Sequence, residues 1–404
     1  MFIRKLYKPQ FIVRLIVYGL AMLPAIALLL LQRVLHECNL LLLRTAPIDA
    51  SRLGWFYNLD WHLKLGKRSK VVNLYFNRPS VPYEVNEPFL SLWKQHIRVL
   101  KLSPILHLAH KLNQKLGANL YVYPMKDWTL INGDPKYLKL MVEAPPLDFD
   151  FDDSPGSRAE KEFRGLQIDA PFVCFHNRDS SYLKSVSPAK DWSHHDFRDS
   201  NINNLAAAVK HLNGNGFSCV RMGTRVEKRL DQEGLPKVPL YSATDKQTDL
   251  LDLYLTKNCK FFITGDTGIN ILPYMFKKPI VFHNWTNIKN SLRYMPCALF
   301  IPKMYFSQEE DRLLSFGEMI NGVLKDLILT ADLDKRGIIA VENTEEEIKQ
   351  VVIEMDQRLA GRWKESKRDT ELQKLFWDQF EPATSKAKNF RIGTHFLRKY
   401  EHLI

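Results

Sequence analysis

Apolar and polar positions divide the chain into two regimes. Phe11 to Leu31 (FIVRLIVYGLAMLPAIALLLL) is almost continuously apolar, with Arg14 as its one charge. From Leu40 onward, short apolar runs alternate with amphipathic stretches, as strands alternate with helices. LLLLR (Leu40 to Arg44) and KVVNLYFN (Lys70 to Asn77) predict strands. Glu87 to Val99 and Ile105 to Leu116 carry helical spacing, and Leu120 to Tyr123 reads as a further short strand. Beyond Pro171 the alternation sharpens. Strands are predicted at PFVCFHNRD, at Phe217 to Gly223, Val238 to Ser242, Phe261 to Thr264, Ile280 to Phe282 and Ala298 to Ile301. Between them, Ser200-Asn201 caps a helix that stops near Gly214 or Gly216. Leu250 to Leu255 and Ile269 to Phe276 are helical runs. This order predicts an α/β protein whose parallel sheet is covered by helices.

The same pattern suggests four segments: an apolar membrane-associating segment (1–39), a first βα-type domain (40–165), a second one (166–340) and C-terminal helices (341–404). Ala144 to Gly165, acidic and then rich in Pro, Gly and Ser, is the best linker.

Composition narrows the partners. The 404 residues include 57 Lys and Arg against 45 Asp and Glu, a net charge of +12. Such a balance favours an anionic ligand or surface. Nucleic acid is set aside as a partner, because zinc-finger spacing, RNP-like motifs and basic-aromatic repeats are missing from the sequence. Cys38, Cys174, Cys219, Cys259 and Cys297 are odd in number, widely spaced and mostly in apolar runs. They read as reduced thiols, which places the body in a reducing, cytoplasmic compartment.

The apolar segment leaves three readings open. Its length is near that of a spanning helix. Arg4, Lys5 and Lys8 precede it, and Pro24 would kink it. It could span as an anchor, lie in one leaflet with the body on the cytoplasmic side, or be a core helix of the first domain. The scattered cysteines favour the one-leaflet reading.

Candidate chemistry gathers at strand ends, where open α/β sheets bind ligands. His176-Asn177-Arg178-Asp179, Arg221-Met222-Gly223-Thr224, Tyr241-Ser242-Ala243-Thr244-Asp245 and Gly265-Asp266-Thr267-Gly268 end four successive strands. Arg178 and Arg221 could fork onto phosphate oxygens, or pair with Asp179 or Glu227. Thr267, Gly268 and Ile269 would offer backbone N–H groups at a helix start. Asp266 suits a sugar hydroxyl, or a cap. His194, His195 and Arg198 lie in the loop after the first of these strands and could close over a diphosphate. The alternating carboxylates Asp148, Asp150 and Asp152 sit in the linker without a turn glycine, so no metal is expected there, and no other cofactor is expected. Walker, GxGxxG and Ser-His-Asp patterns are not found.

The ordered motifs resemble those of known enzymes. ITGDTGINILPYMFKKPIVF is similar to the Asp-Thr-Gly loop and following helix of the lipopolysaccharide heptosyltransferases, although Ile271 and Leu272 stand where that family has a His. A closer resemblance is to a family of bacterial glycosyltransferases from surface-polysaccharide gene clusters. It rests on Ser51-Arg52-Leu53-Gly54, His176-Asn177-Arg178-Asp179, His195-Asp196-Phe197-Arg198, Arg221-Met222-Gly223 and the run Asp249 to Leu255. The resemblance implies two Rossmann-like domains of the GT-B type. It also implies transfer of a sugar, inverting and metal-independent, from a nucleotide-diphosphate donor to a glycan or lipid-linked acceptor. On that reading the donor is held by Arg178, His195, Arg198, Arg221, Gly223, Thr244, Asp245, Asp266, Thr267, Gly268 and Ile269. Ser51, Arg52 and Gly54 form an acceptor-side loop, and Asp49, then Asp60, is the candidate general base. The rivals are a nucleotide-sugar epimerase of similar shape and a non-catalytic, membrane-attached scaffold.

Overall fold

The computed structural model describes residues 9–48, 53–64, 70–77, 85–123, 147–186 and 191–404, the last stretch except for positions 227, 232, 236, 240, 243, 287, 289–296, 324–328 and 381–389. The chain divides into two compact units, Met1–Leu130 and Ile131–Ile404.

In the first unit the apolar segment forms one long helix, α1 (Pro9–Glu37), with Pro24 inside it. Strands β1 (Leu42–Ile48), β2 (Val71–Asn77) and β3 (Val99–Leu100) make a parallel sheet in the order β1-β2-β3. Helices α2 (Phe56–Lys64), α3 (Glu87–Trp93) and α4 (Ser103–Lys115) accompany them. Asn86 caps α3 by accepting from the Phe89 N–H at 2.8 Å. The helix predicted to run to Val99 instead stops at Trp93, because Val99 and Leu100 pair with Tyr75 and Phe76. The strand predicted at Leu120 to Tyr123 is a 3-10 turn followed by a single bridge from Thr45 to Val122.

One stripe of α1 is core. Ala25 and Leu29 pack on Ala109 of α4, with Leu28, Ile105, Leu108 and Leu112 around them. Gln32 is buried. It donates to the Leu43 carbonyl at 3.0 Å and accepts from Asn113 at 2.9 Å.

The second unit is built on a six-stranded, all-parallel sheet. Its strands are β4 (Phe172–Phe175), β5 (Ser218–Arg221), β6 (Phe262–Thr264), β7 (Ile280–Trp285), β8 (Ala298–Pro302) and, further along the chain, β12 (Phe390–Ile392). The order is β12-β8-β7-β6-β4-β5. The first connection runs outward from β4 to β5, and the next crosses back to β6. The winding therefore reverses between β4 and β6. β4, β5 and β8 are buried at every position, as continuous apolar runs in a parallel sheet should be. Helices α5 (Arg158–Arg164), α6 (Ser181–Val186), α7 (Ala206–Gly214), α8 (Asp249–Asn258) and α9 (Ile271–Met275) belong to this part. Strands β9 (Met304–Ser307), β10 (Arg312–Leu313) and β11 (Ile338–Val341) form a small antiparallel sheet.

Three sequence readings change here. Val238 to Ser242 holds no strand among its described residues; the preceding Lys237 accepts from the Cys219 N–H at 2.8 Å and exchanges hydrogen bonds with the Asn213 side chain. The described part of the linker, from residue 147, belongs to this unit. Phe151 is buried against Phe276, Lys257 pairs with Asp153 at 2.9 Å, and Lys277 pairs with Asp148. The C-terminal segment adds α11 (Glu345–Leu359), α12 (Lys367–Asp378) and α13 (Thr394–Lys399), after a short α10 (Thr330–Lys335), but also the sheet strand β12. Cys174, Cys219 and Cys259 are buried and Cys297 is partly so, while Cys38 is exposed; all five are free thiols.

Candidate functional site

β4 ends in a fixed polar turn. Its neighbours hold it by backbone bonds: His176 N–H to the Ile263 carbonyl and Met222 N–H to the Phe175 carbonyl, both 2.8 Å. Asn177 donates to the Ser200 carbonyl at 2.5 Å and accepts from the Ser200 hydroxyl at 2.5 Å. The loop from Asp191 to Asn201 is thereby tied back onto the strand end.

That loop delivers the partner of Arg178. The Arg178 guanidinium is buried, pairs with Asp199 and donates to the His195 carbonyl at 3.2 Å. Burial pushes the Asp199 carboxyl up to about 6 despite the nearby guanidinium, so it remains largely ionised at neutral pH. Arg178 therefore pairs with Asp199, not with its sequence neighbour Asp179. Asp179 instead accepts from Ser181 at the start of α6, from its N–H at 3.1 Å and its hydroxyl at 2.5 Å.

Arg198 meets Asp266 across 68 positions of sequence. Its Nε reaches Oδ2 at 3.1 Å, and its Nη2 reaches Oδ1 at 2.8 Å and the Asp266 carbonyl at 2.9 Å. Thr286 also donates to Oδ2, at 2.5 Å. Burial would raise the Asp266 carboxyl; Arg198 and Thr286 outweigh it and hold it below the ordinary value. The carboxylate expected to take a sugar hydroxyl or a cap is thus engaged by a forked guanidinium.

The Gly-Asp-Thr-Gly turn is braced from within. Thr264 donates to Asn270 Oδ1 at 2.7 Å, and Asn270 Nδ2 donates to the Gly265 carbonyl at 2.9 Å. Gly268 opens a 3-10 turn, Gly268–Asn270, that leads into the five-residue α9. Thr267, Gly268 and Ile269 therefore start a helical segment of about two turns, whose end charge is small.

Arg221 differs from the other two arginines. It is 6% exposed, and its Nε has no hydrogen-bond partner among the described residues. It makes no ion pair there. Burial lowers its pKa, and Asp179 acts on it only as a more distant charge. Beside it stands His176, whose Nδ1 also lacks a partner among the described residues and whose pKa burial pushes down to about 4. Gly223 makes this approach possible. Its φ is +121°, and a Cβ would meet the His176 ring at 3.3 Å.

Three further residues complete the edge, and sequence reading passed over them. Lys303, just after β8, is 2% exposed and donates to the Asp199 carbonyl at 2.6 Å. His283 is buried and neutral at pH 7, its pKa pushed to about 4 by burial. Thr286 follows an irregularity in β7, where the register shifts between Phe282 and Trp285. Asn284 takes a left-handed φ of 49° there and exchanges bonds of 2.5 and 2.7 Å with Asn343. Lys303 could have been found by the rule that found the arginines, since it ends an apolar strand. Thr286 could not, because the bulge that aims it depends on Asn343.

The remaining predicted residues do other things. Thr244 closes its own turn, donating to the Tyr241 carbonyl at 2.7 Å, and Asp245 is exposed. The His195 ring lies 4.1 Å from that of His194, and burial pushes its pKa down to about 4. Gly54 is in a 3-10 turn, Leu53–Trp55, of the first unit. Asp60 is 1% exposed within α2 and pairs with Lys64 at 3.0 Å. Asp49, Ser51 and Arg52 lie outside the described residues.

Four basic side chains thus gather where the sheet's winding reverses. Two are matched by carboxylates, and Arg221 and Lys303 stand in no ion pair among the described residues. Such an edge attracts an anion with several oxygens.

No protein-family model and no curated protein matches the chain. Solved structures similar to it include a glycosyl transferase family 9 protein from Veillonella parvula, at 11% identity and a TM-score of 0.46, covering 79% of this chain and 97% of that one. ADP-heptose LPS heptosyltransferase II of E. coli matches at 14% identity and a TM-score of 0.38, covering 59% and 84%. The S. aureus MnaA–UDP structure matches at 11% identity and a TM-score of 0.27, covering 80% and 98%. Glycosyltransferases, including a lipopolysaccharide heptosyltransferase, are therefore among the structural neighbours of this chain.

Proposed function

We propose that the second unit binds a nucleotide-diphosphate sugar at the β4/β6 edge. On this reading the protein transfers the sugar to a hydroxyl of a glycan or lipid-linked acceptor. The observation that carries it is the buried Arg221 guanidinium at a strand end, its Nε without a partner among the described residues, beside a neutral His176 and a glycine that leaves room. A cation held without a counter-charge is costly to the fold, and a ligand that supplies the charge relieves that cost.

In the transfer, the bond from the anomeric carbon to the diphosphate oxygen breaks and the acceptor oxygen attacks. The departing diphosphate gains negative charge. Fixed donors aimed at that charge stabilise the transition state more than the ground state. Arg221 and Lys303 are the groups placed for this, with Arg178 and Arg198 held rigid by Asp199 and Asp266. His176 and His195 are neutral at pH 7 and act as hydrogen-bonding groups rather than as extra cations. Asp49 is kept as the leading candidate base. Asp60 is second, since its pairing with Lys64 suits a structural carboxylate equally well.

The test is a thermal-shift screen of the full chain against nucleotide sugars, followed by product assay. A ligand at 100 times its Kd raises stability by about 2.7 kcal/mol. Release of nucleoside diphosphate that depends on an acceptor supports transfer. An isomerised nucleotide sugar formed without acceptor would establish the epimerase instead. Failure of every nucleotide to bind would remove the site.

A further inference from the structure

α1 has two opposed faces. Ala21, Ala25, Leu29 and Gln32 follow one another at steps of three or four and are buried. On the other side Val13, Ile16, Leu20, Leu23, Leu30 and Val34 are 56–78% exposed, again at helical steps. At 1.5 Å per residue this outer stripe is about 32 Å long. A water-soluble helix normally places polar residues there.

Charge accompanies the stripe. Residues 1–130 contain 18 Lys and Arg but 6 Asp and Glu, whereas residues 131–404 contain 39 of each. The whole excess of +12 thus lies in the first unit. Arg33 is exposed on α1 itself, and Lys111 and Lys115 are exposed on α4, against which α1 packs. Lys70 donates to the Asn39 carbonyl at 2.9 Å, just past the end of α1.

We propose that α1 lies in the plane of an anionic bilayer, its aliphatic stripe among the acyl chains of one leaflet and the basic residues at the headgroups. The inner face separates this from a spanning anchor. A spanning helix needs about 20 residues clear of aqueous structure. Here Gln32 is bonded to Leu43 and Asn113, Tyr121 and His36 share a 3.3 Å hydrogen bond, and the Tyr18 and His107 rings lie 6.2 Å apart. From Tyr18 to His36 the helix is docked on its own unit. It has one face for protein and one for lipid. This inference does not depend on the nucleotide-sugar reading.

The experiment is flotation of the full chain with vesicles of phosphatidylcholine alone or mixed with phosphatidylglycerol. The protein should float with the mixed vesicles and at least tenfold less with the neutral ones. Leu20→Asp combined with Leu23→Asp should cut binding at least tenfold while keeping the wild-type melting transition. Should that pair unfold, Leu20→Ala with Leu23→Ala should give a smaller loss in a folded protein. Topology is read by an impermeant maleimide on sealed vesicles, using the native Cys38 and a Gln10→Cys variant. Both ends should react before detergent is added. Protection of one end means a spanning helix and overturns the proposal. So does absence of vesicle binding, or a solution dimer that the Asp variants dissociate, which would make the stripe a seam between two copies.

Discussion

Replacing Arg221 by Ala should separate ligand binding from folding. In the free protein this guanidinium is 6% exposed, with Nε unpartnered and no ion pair among the described residues. Truncation therefore removes a buried cation without orphaning a carboxylate among the described residues, and the ligand-free Tm should stay level or rise. Binding should suffer instead. A hydrogen bond to a charged group contributes about 1.5–3 kcal/mol, so nucleoside-diphosphate affinity should fall roughly ten- to 150-fold. Arg221→Lys should restore part of it, because an ammonium supplies the charge but not the planar fork. Arg178→Ala is the internal contrast. It leaves Asp199 without its partner, and the ligand-free protein should lose stability. The side chains of the pair are 9% and 24% exposed, so the loss belongs at the low end of the range for broken buried pairs, about 3 kcal/mol. Calorimetric titration with a nucleoside diphosphate and melting of the free proteins measure both. An Arg221→Ala protein that melts lower yet binds with undiminished affinity would refute this assignment of the site.

Gly223→Ala should lower Tm by an amount equivalent to roughly 1–3 kcal/mol and weaken nucleotide binding, since φ is +121° and the new Cβ meets His176; a neutral outcome in melting would argue against that constraint. Asp252 is pushed up to about 7, first by burial and then by the charge of Asp249, against hydrogen bonds from Tyr241 and Gln247. Its folded value lies above the ordinary value of about 4, so it holds a proton in the folded state between about pH 4 and 7, and stability is lost as pH rises through that window. The difference in Tm between wild type and Asp252→Asn should fall across it and level off above; a flat difference would refute the role. Gln32→Leu should cost about 1–3 kcal/mol for each group left unpaired, the Leu43 carbonyl and the Asn113 amide, as read by chemical denaturation. Sugar transfer should persist in a strong chelator, and loss restored by magnesium or manganese would overturn that expectation.

The α/β class, the strands β4 to β8 and their polar ends were legible in sequence, because strand burial and helix periodicity are local patterns. Arg178, Arg221 and Asp266 could be named because each closes or follows an apolar run, and Arg198 because it lies in the loop after the first of those strands. Their partners could not be named. Arg178 with Asp199 and Arg198 with Asp266 are decided by how the loop after β4 folds back, and Lys303 reaches the Asp199 carbonyl across about a hundred residues. β12 was hidden because three residues carry too little periodicity, and only pairing with β8 makes them a strand. The apolar character of α1 was plain from its residues. Which side of it faces protein was decided by α4, β1 and the bonds of Gln32. A helix that is apolar all round has no preferred face until its neighbours take one.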